Sequence, residues 1–120
     1  MTTNTPGLNA FPRREEMNTS RHKLLKCKLR QGGFSSQRLF TIKDADNNDK
    51  VFGGYYAHFF DAERNPLDAN YPPPGETVEG FTKCRVLKVL EGGETVIVDV
   101  PSSDAVVVKI DDLIELHPVR

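Results

Sequence analysis

From His22 onward, hydrophobic and polar residues alternate with the period of a strand that buries one face. Leu25, Cys27 and Leu29 alternate with Lys26, Lys28 and Arg30, and Gln31-Gly32-Gly33 ends the run. A second strand is predicted over Gln37–Lys43, with Phe40 and Ile42 on one face and Leu39 and Thr41 on the other. The polar cluster at 44–49 closes it. Residues 51–61, VFGGYYAHFFD, carry two signals. Apolar pairs at 51/52, 55/56 and 59/60 recur as a helix would place them, whereas Gly53-Gly54 and the aromatic content favour a strand. Read as a strand, the segment is apolar on both faces: Val51, Tyr55 and Phe59 on one, Phe52, Tyr56 and Phe60 on the other. One of those faces is then left for a partner.

Residues 63–75 contain Asn65-Pro66 and Pro72-Pro73-Pro74-Gly75, and three consecutive prolines cannot sit inside a sheet. They predict a long surface connection between two halves. Beyond it, runs at 81–91 and 94–101 flank Gly92-Gly93, which reads as the two-residue loop of a tight hairpin. Val96, Val98 and Val100 share a face. After the reversal Pro101-Ser102-Ser103-Asp104, a third strand places Val106, Val108 and Ile110 on one side. A single helical turn at Asp111-Asp112-Leu113 then precedes a last short strand, Ile114-Glu115-Leu116. Each half has a glycine pair after a cysteine-bearing strand, but the spacings differ, Cys27 to Gly32 against Cys84 to Gly92, and no repeat is assigned.

The phrase running from Val106 to Leu116 carries a resemblance. Strand, Gly-Gly hairpin, strand, reversal, strand, one helical turn and short strand is the order that closes SH3-like small β-barrels, the group of Src-homology, Tudor and KOW modules. The resemblance implies an all-β, mainly antiparallel fold: a small SH3-like barrel with an elaborated N-terminal half. Residues 1–20, polar and without periodicity, read as a disordered tail, and 21–120 as one barrel domain. The likeness is one of strand order, so no family's functional residues are carried over.

A chain of 120 residues with 38% hydrophobic content supports one modest core. Its formal net charge of −1 excludes a protein that coats polyanions through total charge alone. In chain order that average separates. Residues 13–43 hold nine basic side chains against Glu15 and Glu16, a local +7; 44–79 hold eight acids against Lys50 and Arg64, a local −6. Residues 1–20 offer only isolated Leu8 and Phe11, too little for a secretory signal, and a cytoplasmic protein is expected. No apolar run approaches the ~20 residues a membrane span needs, so no membrane partner is expected.

Candidate chemistry is sparse. Asp44, Asp46 and Asn48 have the spacing of the first ligands of a calcium loop, but Asp49 and Tyr55 stand where that loop needs Gly and Glu, which leaves a solvated turn. His58, Asp61 and Glu63 converge only if the segment is helical. Cys27 and Cys84 read as buried thiols, with His22 or His117 as conceivable neighbours. No cofactor and no metal are expected. The leading expectation is a non-catalytic binding or adaptor module that contacts a protein partner, or a second copy of itself, through Tyr55, Tyr56, Phe59 and Phe60. The alternative is a nucleic-acid-binding barrel in which Lys26, Lys28, Arg30 and Arg38 follow phosphates and Phe34 stacks on a base. The same cationic row also reads as the solvated face of an edge strand, where lysines block aggregation. A small enzyme around His58 is the third class.

Overall fold

In the computed structural model, residues 21–101 and 105–116 are described, and every regular element among them is a strand or a single 3₁₀ turn. The strands are β1 (His22–Gln31), β2 (Gln37–Lys43), β3 (Asp49–Tyr55), β4 (Phe59–Asp61), β5 (Val78–Val89), β6 (Thr95–Asp99), β7 (Ala105–Lys109) and β8 (Leu113–Glu115). The 3₁₀ turns are Tyr56–His58 and Ile110–Asp112. All strand pairings are antiparallel, as the sequence pattern implies. The tail at 1–20, the reversal at 102–104 and His117 lie outside the described residues.

The strands form one curled sheet in the order β3-β2-β1-β5-β6-β7, a half-barrel. Two short strands complete it. β4 pairs with the free edge of β5 at residues 80–82, and β8 pairs with the free edge of β1 at residues 23–25. Two rings of strands therefore share the β1/β5 pair. Opposite that pair, the N–H of Ala45 donates to the carbonyl of Val107 at 2.8 Å, which ties the β2/β3 loop to β7.

The chain is in fact built twice. β1, β2, β3, turn, β4 in the first half has the same path as β5, β6, β7, turn, β8 in the second. The registers agree rung for rung: Lys28 opposite Thr41 corresponds to Arg85 opposite Asp99, and Gln31 opposite Arg38 to Val89 opposite Val96. Gln37 opposite Tyr55 corresponds to Thr95 opposite Lys109, and Phe59 opposite Thr82 to Leu113 opposite Leu25. Both 3₁₀ turns are entered the same way, with Tyr56 N–H donating to Ser36 O at 3.0 Å and Ile110 N–H to Glu94 O at 2.9 Å. Cys27 and Cys84 occupy equivalent places in Lys26-Cys27-Lys28 and Lys83-Cys84-Arg85. Leu25 and Thr82 correspond to each other and also pair with each other, so an approximate two-fold axis passes between them.

This duplication corrects the reading of no repeat, and its physical cause is clear. A β-bulge between Val86 and Lys88 inserts a residue into β5, and the two glycine pairs stand at different places in their loops, Gly32 matching Leu90 and Gly92 matching Phe34, while the β2/β3 hairpin is longer than the β6/β7 hairpin, so equal structure is spread over unequal spacing.

The core is continuous across both halves and is built from the expected parities: Leu25, Cys27 and Leu29; Phe40 and Ile42; Val96, Val98 and Val100; Val106 and Val108. Four local readings change. Residues 51–61 are neither one strand nor a helix, because the 3₁₀ turn interrupts them and restarts the alternation with Phe59 inward. The Gly92-Gly93 loop is not two residues long: Leu90 N–H bonds Thr95 O at 2.9 Å, enclosing residues 91–94, and both glycines take positive φ. Ile110 belongs to the second turn and is exposed, with β8 starting one residue earlier than the pattern suggests. β1 is not an edge strand, since it is paired along both sides.

Candidate functional site

The connection between the halves runs over the surface, as expected, and is anchored on the first half by two buried side chains, Leu67 and Pro72. It begins at a loop with a twin. Asp44-Ala45-Asp46-Asn47-Asn48 and Asp61-Ala62-Glu63-Arg64-Asn65 share one geometry: each leading aspartate accepts from the N–H groups two and four residues on, at 2.9 Å in every case. In each loop the fourth residue is left-handed, Asn47 at φ 67° and Arg64 at φ 70°. The carboxylate of Asp44 is thus turned onto backbone, and those hydrogen bonds, chiefly from Asn48, hold its pKa below the ordinary aspartate value. An oxygen so engaged is a turn-former, as the failed calcium pattern implied.

Past the second loop the chain lies on β4 and β2. Pro66 bridges to Phe60, Leu67 N–H donates to Phe59 O at 3.2 Å, and Leu67 and Pro72 bury their side chains. Arg38 fixes the rest. It shares the inward face of β2 with Phe40 and Ile42 and is 0% exposed. Its five N–H groups all donate to backbone carbonyls: Nε to Tyr71 at 2.9 Å, Nη1 to Ser35 and Gln37 at 2.8 and 2.9 Å, Nη2 to Asp68 and Ala69 at 3.4 and 2.9 Å. The Tyr56 ring lies 5.5 Å from its Cζ. Gln31 Nε2 adds a bond to Pro72 O at 3.0 Å.

This geometry removes Arg38 from the phosphate-binding candidates, because a guanidinium saturated by carbonyls has no donor left for a ligand. The remaining cations, Lys26, Lys28 and Arg30, do project outward from β1. On the same face, across the β1/β5 pair, stands Lys83, and none of the four makes an ion pair among the described residues. Phe34 is 73% exposed in the loop that follows β1.

The four aromatic candidates are separated. Phe59 leaves the candidate surface: it is fully buried, its ring 5.0 Å from that of Phe40. Phe60 points to the outer sheet face, next to Phe81 and, one strand further, Lys26. Tyr55 and Tyr56 remain together at the end of the first half, ring centroids 4.9 Å apart, with Tyr55 51% exposed. Phe34 is brought to the same end, since Gln37 N–H bonds Phe34 O while Gln37 pairs with Tyr55.

No protein-family model, curated protein or solved structure matches this chain. The functional reading therefore rests on its own geometry.

His58 sits in the first 3₁₀ turn with its ring edge-on to Tyr55 and Phe59 at 6.2 and 6.5 Å. Among the described residues no three His, Cys, Asp or Glu side chains gather to hold a metal ion, so Asp61 and Glu63 do not join His58 in a site. Burial pushes the Cys84 thiol up to about 12, against a smaller downward pull from Lys23, and raises Cys27 further, with Glu79 adding to the effect. Neither thiol is an available nucleophile at neutral pH. No helix among the described residues is long and apolar enough to cross a membrane.

Two features escaped sequence reasoning. A lone arginine on the parity of Phe40 and Ile42 was the available sign of the Arg38 hub. The apolar groove between β5 and the second 3₁₀ turn, about 330 Å³, had no linear signature because its walls, Val86, Val89, Val96, Ile110, Leu113 and Ile114, come from four separate elements.

Proposed function

We propose that this chain is a non-catalytic binding module of the SH3-like small-barrel type that docks a protein partner through the aromatic end of its first half. The observation that carries this reading is the exposure of Phe34 and Tyr55, 73% and 51%, beside half-buried Tyr56 on a rigid hairpin end. Aromatic side chains are rigid, present large contact areas and lose little entropy on binding, and they dominate contact energies where they cluster. Arg38 anchors the platform from below by holding Ser35 and Tyr71, so the rings stand on a fixed base. The partner is a protein that offers an apolar strip with a polar fringe, and a second copy of the chain is one form of it. Tyr55→Ser and Phe34→Ser, whose side chains carry no core packing, are expected to abolish partner recovery, or the mass increase seen by sedimentation, with an unchanged melting temperature. Unaltered mass and unaltered recovery would refute the reading.

A second reading is favoured by one observation. β1 is a central strand, so Lys26, Lys28 and Arg30 are not edge protection, and with Lys83 they give the outer face around half-buried Phe60 and Phe81 four cations against one acid, Glu79 opposite Lys28. Cations interleaved with aromatic rings suit a single-stranded nucleic acid. Filter binding at low salt would then show retention that falls steeply with added salt and is weakened in Lys26→Glu/Lys28→Glu. Absence of retention by the unmodified chain removes this reading.

A further inference from the structure

The repeat relates the open groove of the second half to a filled place in the first. Its walls Val86, Val89, Val96, Ile110, Leu113 and Ile114 correspond to Leu29, Gln31, Arg38, Tyr56, Phe59 and Phe60. In the first half four of those residues hold residues 66–72: Phe60 bridges Pro66, Phe59 bonds Leu67, Arg38 bonds Asp68, Ala69 and Tyr71, and Gln31 bonds Pro72. The groove of the second half, with Val89 53% and Ile110 40% exposed, has no such cover among the described residues. The molecule thus displays what this kind of groove receives: a short segment, turned at residues 68–71 where Tyr71 N–H donates to Asp68 O at 3.3 Å, that buries a leucine and a proline.

Position in the chain says where the second such segment stands. Residues 66–72 immediately precede β5, the opening strand of the second half, yet lie on the first half. The approximate two-fold axis carries that arrangement to a segment that precedes β1 and lies on the second half. Residues 6–12, outside the described residues, have the matching composition. Pro6-Gly7-Leu8-Asn9-Ala10-Phe11-Pro12 and Pro66-Leu67-Asp68-Ala69-Asn70-Tyr71-Pro72 are both bracketed by prolines. Both contain Leu, then Asn or Asp, then Ala, and both place an aromatic residue directly before the final proline. The chain also enters at the right place: Arg21 lines the groove, and its carbonyl accepts from Val86 N–H at 2.6 Å. Nine positions separate Pro12 from Arg21, against six between Pro72 and Val78, and nine residues reach up to about 30 Å. Length is no obstacle.

We infer that residues 6–12 of this chain seat in the groove between β5 and the second 3₁₀ turn, with Leu8 and Pro12 buried as Leu67 and Pro72 are. Val96, where the first half has Arg38, makes this seat apolar, so it is held by burial and not by a carbonyl cage. Its occupant comes away more readily than residues 66–72.

The test is cysteine cross-linking in the full chain, where the native thiols are buried. Pro72 O bonds Gln31, which corresponds to Val89, so a cysteine at position 13, just past Pro12, faces one at position 89. Arg13→Cys/Val89→Cys is expected to close an intrachain disulfide at least tenfold faster than Arg13→Cys/Lys50→Cys, read by peptide mapping under mild oxidation. Adding Leu8→Ser to the first pair should return it to the control rate. Equal rates for the two pairs, cross-links between separate chains, or indifference to Leu8→Ser would each overturn the inference. Circular dichroism of every variant establishes that folded protein is being compared.

Discussion

At the start of its second strand the first half turns the side chain of Arg38 inward, and at the matching place the second half turns Val96 inward. Both are fully enclosed, yet their surroundings share nothing chemically. A buried guanidinium is tolerable only where carbonyl oxygens replace the water it has lost, and residues 68–71 bring three of the five. The first half thus binds its covering segment by hydrogen bonds to a charge, the second presents an apolar trough. One backbone path supports both because strand register fixes where a side chain points and leaves open what it is.

The sharpest way to break that comparison is to exchange the two solutions. Val96→Arg places a guanidinium where no carbonyl cage exists, and a loss above roughly 4 kcal/mol is expected in urea unfolding, enough to leave the domain largely unfolded. Arg38→Met keeps the volume but orphans the carbonyls it held, and about 3 kcal/mol should be lost, together with protection of 66–72 from protease. If Arg38→Met retained both stability and protection, burial of Leu67 and Pro72 alone would be holding the segment. Gly80 and Lys23 are another corresponding pair. A Cβ on Gly80 would lie 2.5 Å from Phe60 O and from Leu29 Cδ1, so Gly80→Ala should cost about 2 kcal/mol. Lys23→Ala removes the ion pair to Glu115 at 2.9 Å and the packing of a mostly enclosed stem, and should cost about 1 kcal/mol.

The equivalent cysteines sharpen the comparison through pH. Their folded pKa values are raised, so the unfolded chain releases these protons first. Stability is therefore whole below the ordinary thiol value of about 8.5 and declines above it, by at most roughly 1.4 kcal/mol per pH unit per thiol. Replacing Cys27 with Ala should flatten the alkaline limb at least as much as replacing Cys84, since Lys23 already offsets part of the shift at Cys84. The smallest effect concerns the twin loops. Asp44→Ala and Asp61→Ala should each lower the melting temperature only slightly, because the backbone N–H groups they release lie in exposed loops and can turn to water. The contribution of Asp44 is present above its unfolded pKa and lost as pH falls through the lower folded one.

Alternation alone located β1 and β2 and the inward valines of β6 and β7, because a half-buried strand writes its burial into every second residue. The Cys-bearing strands were visible as well, but the two glycine pairs sit at different places in their loops, and one bulge and one longer hairpin broke the even spacing by which a repeat is recognised. Within the candidate surface, Tyr55 and Tyr56 were legible as binding aromatics, whereas Phe34 was legible only as a base-stacking candidate and joins them through the fold. Phe59 was not separable from them, since a three-residue turn shifts inward and outward without changing composition. Arg38 needed the fold: only the return of residues 68–71 from thirty positions away makes its burial possible.

The pairing of β1 with β8 joins Lys23 to Glu115. During synthesis the strand that emerges first among these eight must therefore wait, one edge unsatisfied along residues 23–25, until nearly the last described residue has left the ribosome. The first ring is closed by β5 and so has all of its strands much sooner. The nascent protein passes through a stage in which one ring is complete and the other lacks its closing strand, the interval in which it is most exposed to pairing with a neighbouring chain.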